Sequence, residues 1–258
     1  MSVFDNVRKA SPGAKKLLTD VLVKIASDLS ELPDVRGRAI FCLQNIEAVD
    51  RAAEILRYLG DSEPIVQCAA ALAVAALQIS AGYNRLVHLL KDPTEDTRVR
   101  YSAAKALRFL GNSEACKELL KVVEEEKSRT IASEALSALA DLDGEAVYSK
   151  RVIPLLKHEE AQVRSAAARY FQKHVVPEAI TPLIDGLNDP DEISAAHEAE
   201  ALEQYVWIMR QQQKRDALNR TNEHLRRYET VKASEWPAWY GGSFHRLKRV
   251  LSQENSLP

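Results

Sequence analysis

The sequence predicts an all-α solenoid, a right-handed superhelix of about five helix pairs with an N-terminal cap and a longer C-terminal helical extension. Three observations predict it. A β-branched residue that opens an alanine-rich stretch recurs at Val35, Val66, Val99, Ile131, Val163 and, weakly, Ile193, in steps of 31, 33, 32, 32 and 30 residues. Four residues after the first five anchors stand Ala39, Ala70, Ala103, Ala135 and Ala167, and eight after them stand Leu43, Val74, Leu107, Leu139 and Phe171. That spacing is one face of a helix, and the small residue at its centre lets a neighbouring helix approach closely. Strand signals are missing: no run of alternating β-branched residues flanks an Asn-Gly or Asp-Gly turn.

Taken in order, residues 1–32 hold one capping helix, expected over Ser11 to Leu32. Residues 33–202 hold the repeat array. Between the anchored helices lies a second set, expected near Ala48 to Leu59, Tyr83 to Lys91, Ser113 to Glu125, Glu145 to His158 and Pro177 to Asn188. Gly60, Gly111 and Gly144 fall near helix boundaries, and Pro64, Pro93 and Pro190 fall in the turns before anchored helices. Asp34, Asp96 and Asp191 precede anchors, where a carboxylate caps free N–H groups. One helix pair cannot bury its own apolar face, so stacking of neighbours supplies the core. Past Ile193 the pattern decays, with Glu198 and Glu200 at positions where apolar residues are expected. Residues 203–258 form the extension: a polar helix over Glu203 to Glu229, a turn at Ser234 to Gly242, and a short basic helix over Phe244 to Leu251.

The composition narrows the function classes. The net charge of −2 gives the whole chain no bias toward nucleic acid. The charge is uneven, since residues 210–258 carry ten Lys/Arg against five Asp/Glu. Cys42, Cys68 and Cys116 are odd in number and widely spaced, which reads as reduced thiols in a cytoplasmic protein. Met1 to Arg8 has no apolar core of a secretory signal. The longest apolar run, Ile65 to Ile79, is interrupted by Gln67 and Gln78, and it falls short of the roughly 18 residues of a membrane span. It reads as a buried alanine-rich helix. No metal, cofactor or catalytic motif is found: the six histidines form no i, i+4 pair, and there is no glycine-rich phosphate loop or G-x-S-x-G.

Residues 92–111 carry Asp92-Pro93, Val99-Arg100, Ala103-Ala104-Lys105-Ala106-Leu107 and Leu110-Gly111. This pattern resembles the bacterial HEAT-like repeat, as found in phycobilisome lyase-like HEAT-repeat proteins. Val35-Arg36 and Val163-Arg164 repeat the opening, and Pro154 and Pro182 match a proline common in the first helix of such repeats. The resemblance covers roughly residues 30–200. It implies the solenoid fold, and it is shared by scaffolds, lyase subunits and DNA-binding proteins.

Two surfaces are candidate binding sites. In such an array the anchored helices line the concave side, and their outward positions bring forward Phe41, Tyr101, Lys105, Arg108, Phe109, Arg169 and Lys173. Together they form a mildly basic, aromatic-bearing groove of the kind where interface energy concentrates. The C-terminal tail interleaves Arg226, Arg227, Arg246, Lys248 and Arg249 with Trp236, Trp239 and Tyr240. Such a tail either binds nucleic acid or seals the open end of the solenoid. Arg36, Arg100 and Arg164, which follow the anchors, read as an inter-repeat ladder paired to acids at neighbouring turns. The expected function is therefore a non-catalytic adaptor, scaffold or stoichiometric inhibitor that holds a protein partner, with no membrane association. The alternatives are a nucleic-acid-binding protein and, by resemblance alone, a lyase or chromophore-attachment subunit. The nucleic-acid alternative includes a glycosylase-like version using Asp141, Tyr101 and Phe109.

Overall fold

The computed structural model describes residues 11–126, 128–211, 215–231 and 238–252; they are helical or in connecting turns, with no strand among them. The chain divides into two compact units, Met1–Glu125 and Glu126–Pro258. Each is a short all-α solenoid.

The first unit contains α1 (Pro12–Ser27), α2 (Pro33–Asn45), α3 (Ala52–Tyr58), α4 (Pro64–Ala76), α5 (Tyr83–Lys91), α6 (Thr97–Leu110) and α7 (Ala115–Glu125). Helices α2, α4 and α6 pack side by side as an inner row, α1 docks on α2, and α3 and α5 back the row. Pro12, Pro33 and Pro64 sit in the first turns of their helices, where a missing N–H costs nothing. Asp96 caps α6 by accepting from the Arg98 N–H at 2.8 Å. Gly111 ends that helix in the left-handed region, at φ 75°.

Helices α2 and α4 end differently, on Glu47 and Gln78 with positive φ. In each, the positive-φ residue donates three residues back, to Gln44 O or Ala75 O, and the next residue donates five back, to Leu43 O or Val74 O. These paired bonds hold two non-glycine residues in a conformation that costs roughly 1–2 kcal/mol.

The spine of the inner row is alanine. Ala39, Ala70 and Ala103 are buried in the first unit, and Ala135 and Ala167 in the second. The arginine ladder is also present, with different acids from those nearest in sequence. Arg36 pairs with Asp61 and donates Nε to Ala26 O at 3.0 Å. Arg164 pairs with Asp189 through both Nε and Nη2, and Nη1 donates to His158 O and Glu159 O at 2.8 Å each. Arg100 donates Nε to Leu90 O at 3.0 Å. Each of these guanidiniums ties its inner helix to the end of the segment before it, and Arg36 and Arg164 also reach an acid in the turn before the next inner helix.

The second unit contains α8 (Arg129–Leu142), α9 (Ser149–Val152), α10 (Ala161–Lys173), α11 (Ile180–Gly186), α12 (Glu192–Gln211), α13 (Arg215–Val231) and α14 (Ala238–Ser252). Its inner row is α8, α10 and α12, and α14 packs along α12. Several expectations give way here. The helix expected over 145–158 is one turn, α9, followed by a 3-10 segment, Ile153–Lys157, in which Pro154 lacks an N–H and blocks an α turn. The single helix expected over 203–229 is two helices, α12 and α13. The turn expected up to Gly242 is replaced from Ala238 onward by α14, which runs through Gly241 and Gly242. Phe244 and Leu247, buried on α14, offset the helix cost of two glycines. Residues 234–237 lie outside the described residues, Trp236 among them.

Two anchors also move. Val35 remains 37% exposed, in the first helix of the inner row. Ile193 is 44% exposed, and Ala195, 32 residues after Val163, takes the core position. The 32-residue register is visible in cross-helix pairs: Ser137 with Arg169, and Ser165 with His197.

Glu198 is not a symptom of decay; it is a core residue. It is 0% exposed, and neither carboxyl oxygen has a hydrogen-bond partner. Gly186 makes the room, because a Cβ there would stand 2.1 Å from the Glu198 carboxyl. Burial, reinforced by the nearby Asp189 and Asp191 carboxylates, pushes Glu198 up to about 9, against which Arg164 acts only partly.

Two outcomes follow from this packing. Ala103→Leu should cost about 1–3 kcal/mol in a denaturant titration, because α4 and α6 have no space for the added carbons. Glu198 is neutral in the folded state, so its contribution is fully present below the unfolded carboxylate range and is lost as pH rises toward about 9. Melting temperatures recorded from pH 5 to pH 9 should therefore fall, and Glu198→Gln should flatten that slope.

Candidate functional site

The inner face of the first unit is open. Between α2, α4 and α6 runs a groove of about 600 Å³, lined by Phe41, Gln44, Ile65, Cys68, Ala69, Leu72, Ala75, Ala76, Gln78 and Phe109. Helix α4 forms the floor, and the two phenylalanines stand on the flanking helices. Phe41 is 52% exposed and Phe109 55% exposed, and Ile65 is exposed as well. Large apolar side chains left in water on one contiguous face mark an interaction surface.

Local structure fixes this arrangement. Gln78, at the positive-φ end of α4, donates Nε2 to Ala75 O and to Phe109 O at 2.9 Å each. Its amide thus joins the floor to the Phe109 wall. The Arg108 guanidinium lies over the Phe109 ring at 5.7 Å from the centroid. Tyr101, Lys105 and Arg108 are half-buried on the same helix. Burial pushes the Cys68 thiol up, offset in part by a hydrogen bond with Ser102, and burial alone pushes Cys42 up. Both thiols therefore stay protonated near neutral pH, and Cys68 is a small apolar lining residue.

Sequence reasoning picks out the walls of this groove and misses its floor. The run that begins at Ile65 reads as a buried helix, yet Ile65 is exposed and Cys68, Ala69 and Leu72 are half-buried. The missed signal is the spacing of Ile65, Ala69, Leu72 and Ala76, an apolar stripe in addition to the core stripe of Val66, Ala70 and Val74.

The inner face of the second unit is polar and internally paired. Lys173 forms an ion pair with Asp141, and Arg169 donates to the Ser137 hydroxyl at 3.2 Å. Ser165 is buried, with its hydroxyl 2.7 Å from Nδ1 of His197. Burial pushes the His197 imidazole down, so the ring is neutral near pH 7. Gln172 donates to the Glu200 carboxylate at 3.2 Å. Arg169 and Lys173 are therefore partnered within their own unit.

The C-terminal residues follow a similar pattern. Arg246 donates to Glu200 at 2.9 Å and to Glu203 at 3.3 Å, and Ser243 donates to Glu200 at 2.7 Å. Arg220 pairs with Asp185 at 2.6 Å. Arg226, Lys248 and Arg249 are exposed. The side chains of Arg227, Trp239 and Tyr240 lie outside the described residues. Among the described residues no group of His, Cys, Asp and Glu is arranged to hold a metal ion, and no helix is long and apolar enough to cross a membrane.

Comparison with known proteins agrees with this geometry. A family profile described as HEAT repeats matches residues 19–98 and 80–140. None of the curated proteins matches the sequence. Among solved structures, the Escherichia coli protein YibA is similar at a TM-score of 0.57 and 14% identity, over 96% of each chain. An engineered protein is similar at a TM-score of 0.54 and 21% identity, over 96% of this chain and 72% of that one. At such identities the likeness shows the fold alone. The complex of CpcE and CpcF of phycocyanin lyase from Nostoc sp. gives a TM-score of 0.45 at 16% identity, over 84% of each chain.

The thiol assignment has a direct check. At pH 7.5, a thiol reagent should label Cys68 and Cys42 in the native chain more slowly than in the denatured chain, read by mass spectrometry after a timed quench.

Proposed function

Because this chain is a HEAT-repeat protein, we propose that it is a non-catalytic interaction module, an adaptor, scaffold or stoichiometric inhibitor that holds a protein partner. The observation that carries this reading is the open apolar groove of the first unit, with Phe41 and Phe109 exposed on its two walls. Burying those rings and the Ile65–Leu72 floor against a partner gains roughly 25 cal/mol for each Å² of apolar surface removed from water. Few side chains need to be reorganised to do so, because Gln78 already ties one wall to the floor.

The polar inner face of the second unit supports this choice of site. Its charged side chains already have partners, and a ligand there would have to displace them at a desolvation cost. The nucleic-acid reading loses support for the same reason. Arg246 and Arg220 of the basic tail are engaged by Glu200, Glu203 and Asp185.

The test is affinity capture from the native organism with the wild-type chain and with Phe41→Ala/Phe109→Ala, followed by direct binding measurements on the protein identified. Both substitutions are on exposed side chains and should leave the melting temperature within a few degrees. The wild type should bind, and the variant should lose roughly thirtyfold or more in affinity, as for paired interface anchors. Equal binding by both chains would remove the groove from the function. Salt-sensitive retention on heparin without any bound protein would favour nucleic acid instead.

A further inference from the structure

We infer that the groove takes an acidic amphipathic helix, with an apolar stripe facing α4 and carboxylates on its flanks; this rests on the groove being the docking site. The shape argument comes from the floor. Ile65, Cys68, Ala69, Leu72, Ala75 and Ala76 all line it. Their numbers form three pairs seven apart: Ile65 with Leu72, Cys68 with Ala75, and Ala69 with Ala76. A seven-residue apolar repeat on a helix face is the seam that another helix packs into, knobs into holes. Ile65 and Ala76 are exposed and Cys68, Ala69 and Leu72 half-buried, with Ala75 alone buried, so no described helix of the first unit covers the seam. From Ile65 to Gln78 the floor is about 20 Å long at 1.5 Å per residue, which matches three to four turns of a partner helix. Small side chains at Ala69, Ala75 and Ala76 let that helix come close, and the Phe41 and Phe109 rings close on its sides.

The charge argument comes from the three helices that build the groove. Helices α2, α4 and α6 contain Arg36, Arg38, Arg98, Arg100, Lys105 and Arg108 against a single acid, Asp34; α4 has no charged residue at all. Arg36 and Arg100 are buried ladder residues, and Arg98 is paired with Asp96. Of the rest, Arg38 stands three residues before Phe41, and Lys105 stands four before Phe109. Each aromatic wall therefore has a cation one turn along the same helix face. Arg38 is exposed and Lys105 half-buried, and neither forms an ion pair among the described residues. A helix lying along α4 presents its flanking positions to these two cations, so carboxylates there are favoured and lysines disfavoured. The aliphatic floor argues against nucleic acid, which needs phosphate contacts along a groove and stacking platforms for bases.

The test is a displayed library of about 15-residue helical peptides. Apolar residues are fixed at heptad spacing, and the flanking positions are drawn equally from Glu, Lys, Gln and Ser. The full chain is the bait. Selected peptides should be enriched in Glu and depleted in Lys on the flanks. A synthetic selected peptide should bind roughly tenfold more weakly to Arg38→Glu/Lys105→Glu than to wild type, more weakly as salt rises, and undetectably to Phe41→Ala/Phe109→Ala. Selection with no charge bias, or affinity indifferent to the charge reversal, overturns the acidic helix. The groove stands in that case if the phenylalanine variant still loses binding. If no selected peptide depends on Phe41 and Phe109, the groove reading itself fails. Displacement of the selected peptide by a single-stranded oligonucleotide at low salt overturns the proposal in favour of nucleic acid.

Discussion

The packing of each unit depends on how closely its inner helices can approach. Ala39, Ala70 and Ala103 in one unit, and Ala135 and Ala167 in the other, are buried where these helices face each other. A methyl group at this position sets a short interhelical distance, and a short distance brings the larger residues at Leu43, Val74, Leu107, Leu139 and Phe171 into one continuous core. The arginine pairs then lock the turns. Arg36 with Asp61 and Arg164 with Asp189 are largely enclosed, so each guanidinium has its carboxylate partner and one or two carbonyl acceptors close at hand. Alanine thus fixes the spacing, and arginine fixes the tilt of each turn on the row behind it.

Much of this is legible from residue spacing. The 32-residue period and the alanine four residues past each anchor are local, repeated signals, and they lead directly to the inner row. The failures have physical causes. The anchor shifts from Ile193 to Ala195 because alanine can fill a core position without being β-branched. Pro154 shortens an outer helix that apolar content alone would extend. Glu198 reads as a break in the repeat because its accommodation depends on a hydrogen atom elsewhere, the one that replaces a side chain on Gly186. The groove walls are visible because Phe41 and Phe109 are large and out of phase with the core. The floor is not, because α4 is apolar all round and its two stripes merge when read as a run.

The two inner faces differ in how their surface energy is spent. On the second unit, Lys173, Arg169, Gln172, His197 and Arg246 are joined to acids, hydroxyls or carbonyls of the same unit. Such a face is stable in water and offers a newcomer little that is not already satisfied. On the first unit the groove is lined mainly by aliphatic and aromatic side chains, for which water is a poor partner, with Arg38 and Lys105 on its flanking helices. The same repeat therefore yields one face that is closed by its own polar bonds and one that is left incomplete.

Helix α4 has a further consequence, for biosynthesis. Its thirteen residues carry no charge, and both of its faces are apolar. Before α2 and α6 have folded against it, the segment is a hydrophobic stretch with no charge of its own, its nearest being Glu63 just before it, and such sequences tend to associate with other chains. Adding a charge to the open stripe would relieve that risk and would also spoil the groove. Folding of the neighbouring repeats covers the core stripe of α4 and shortens that exposure during synthesis.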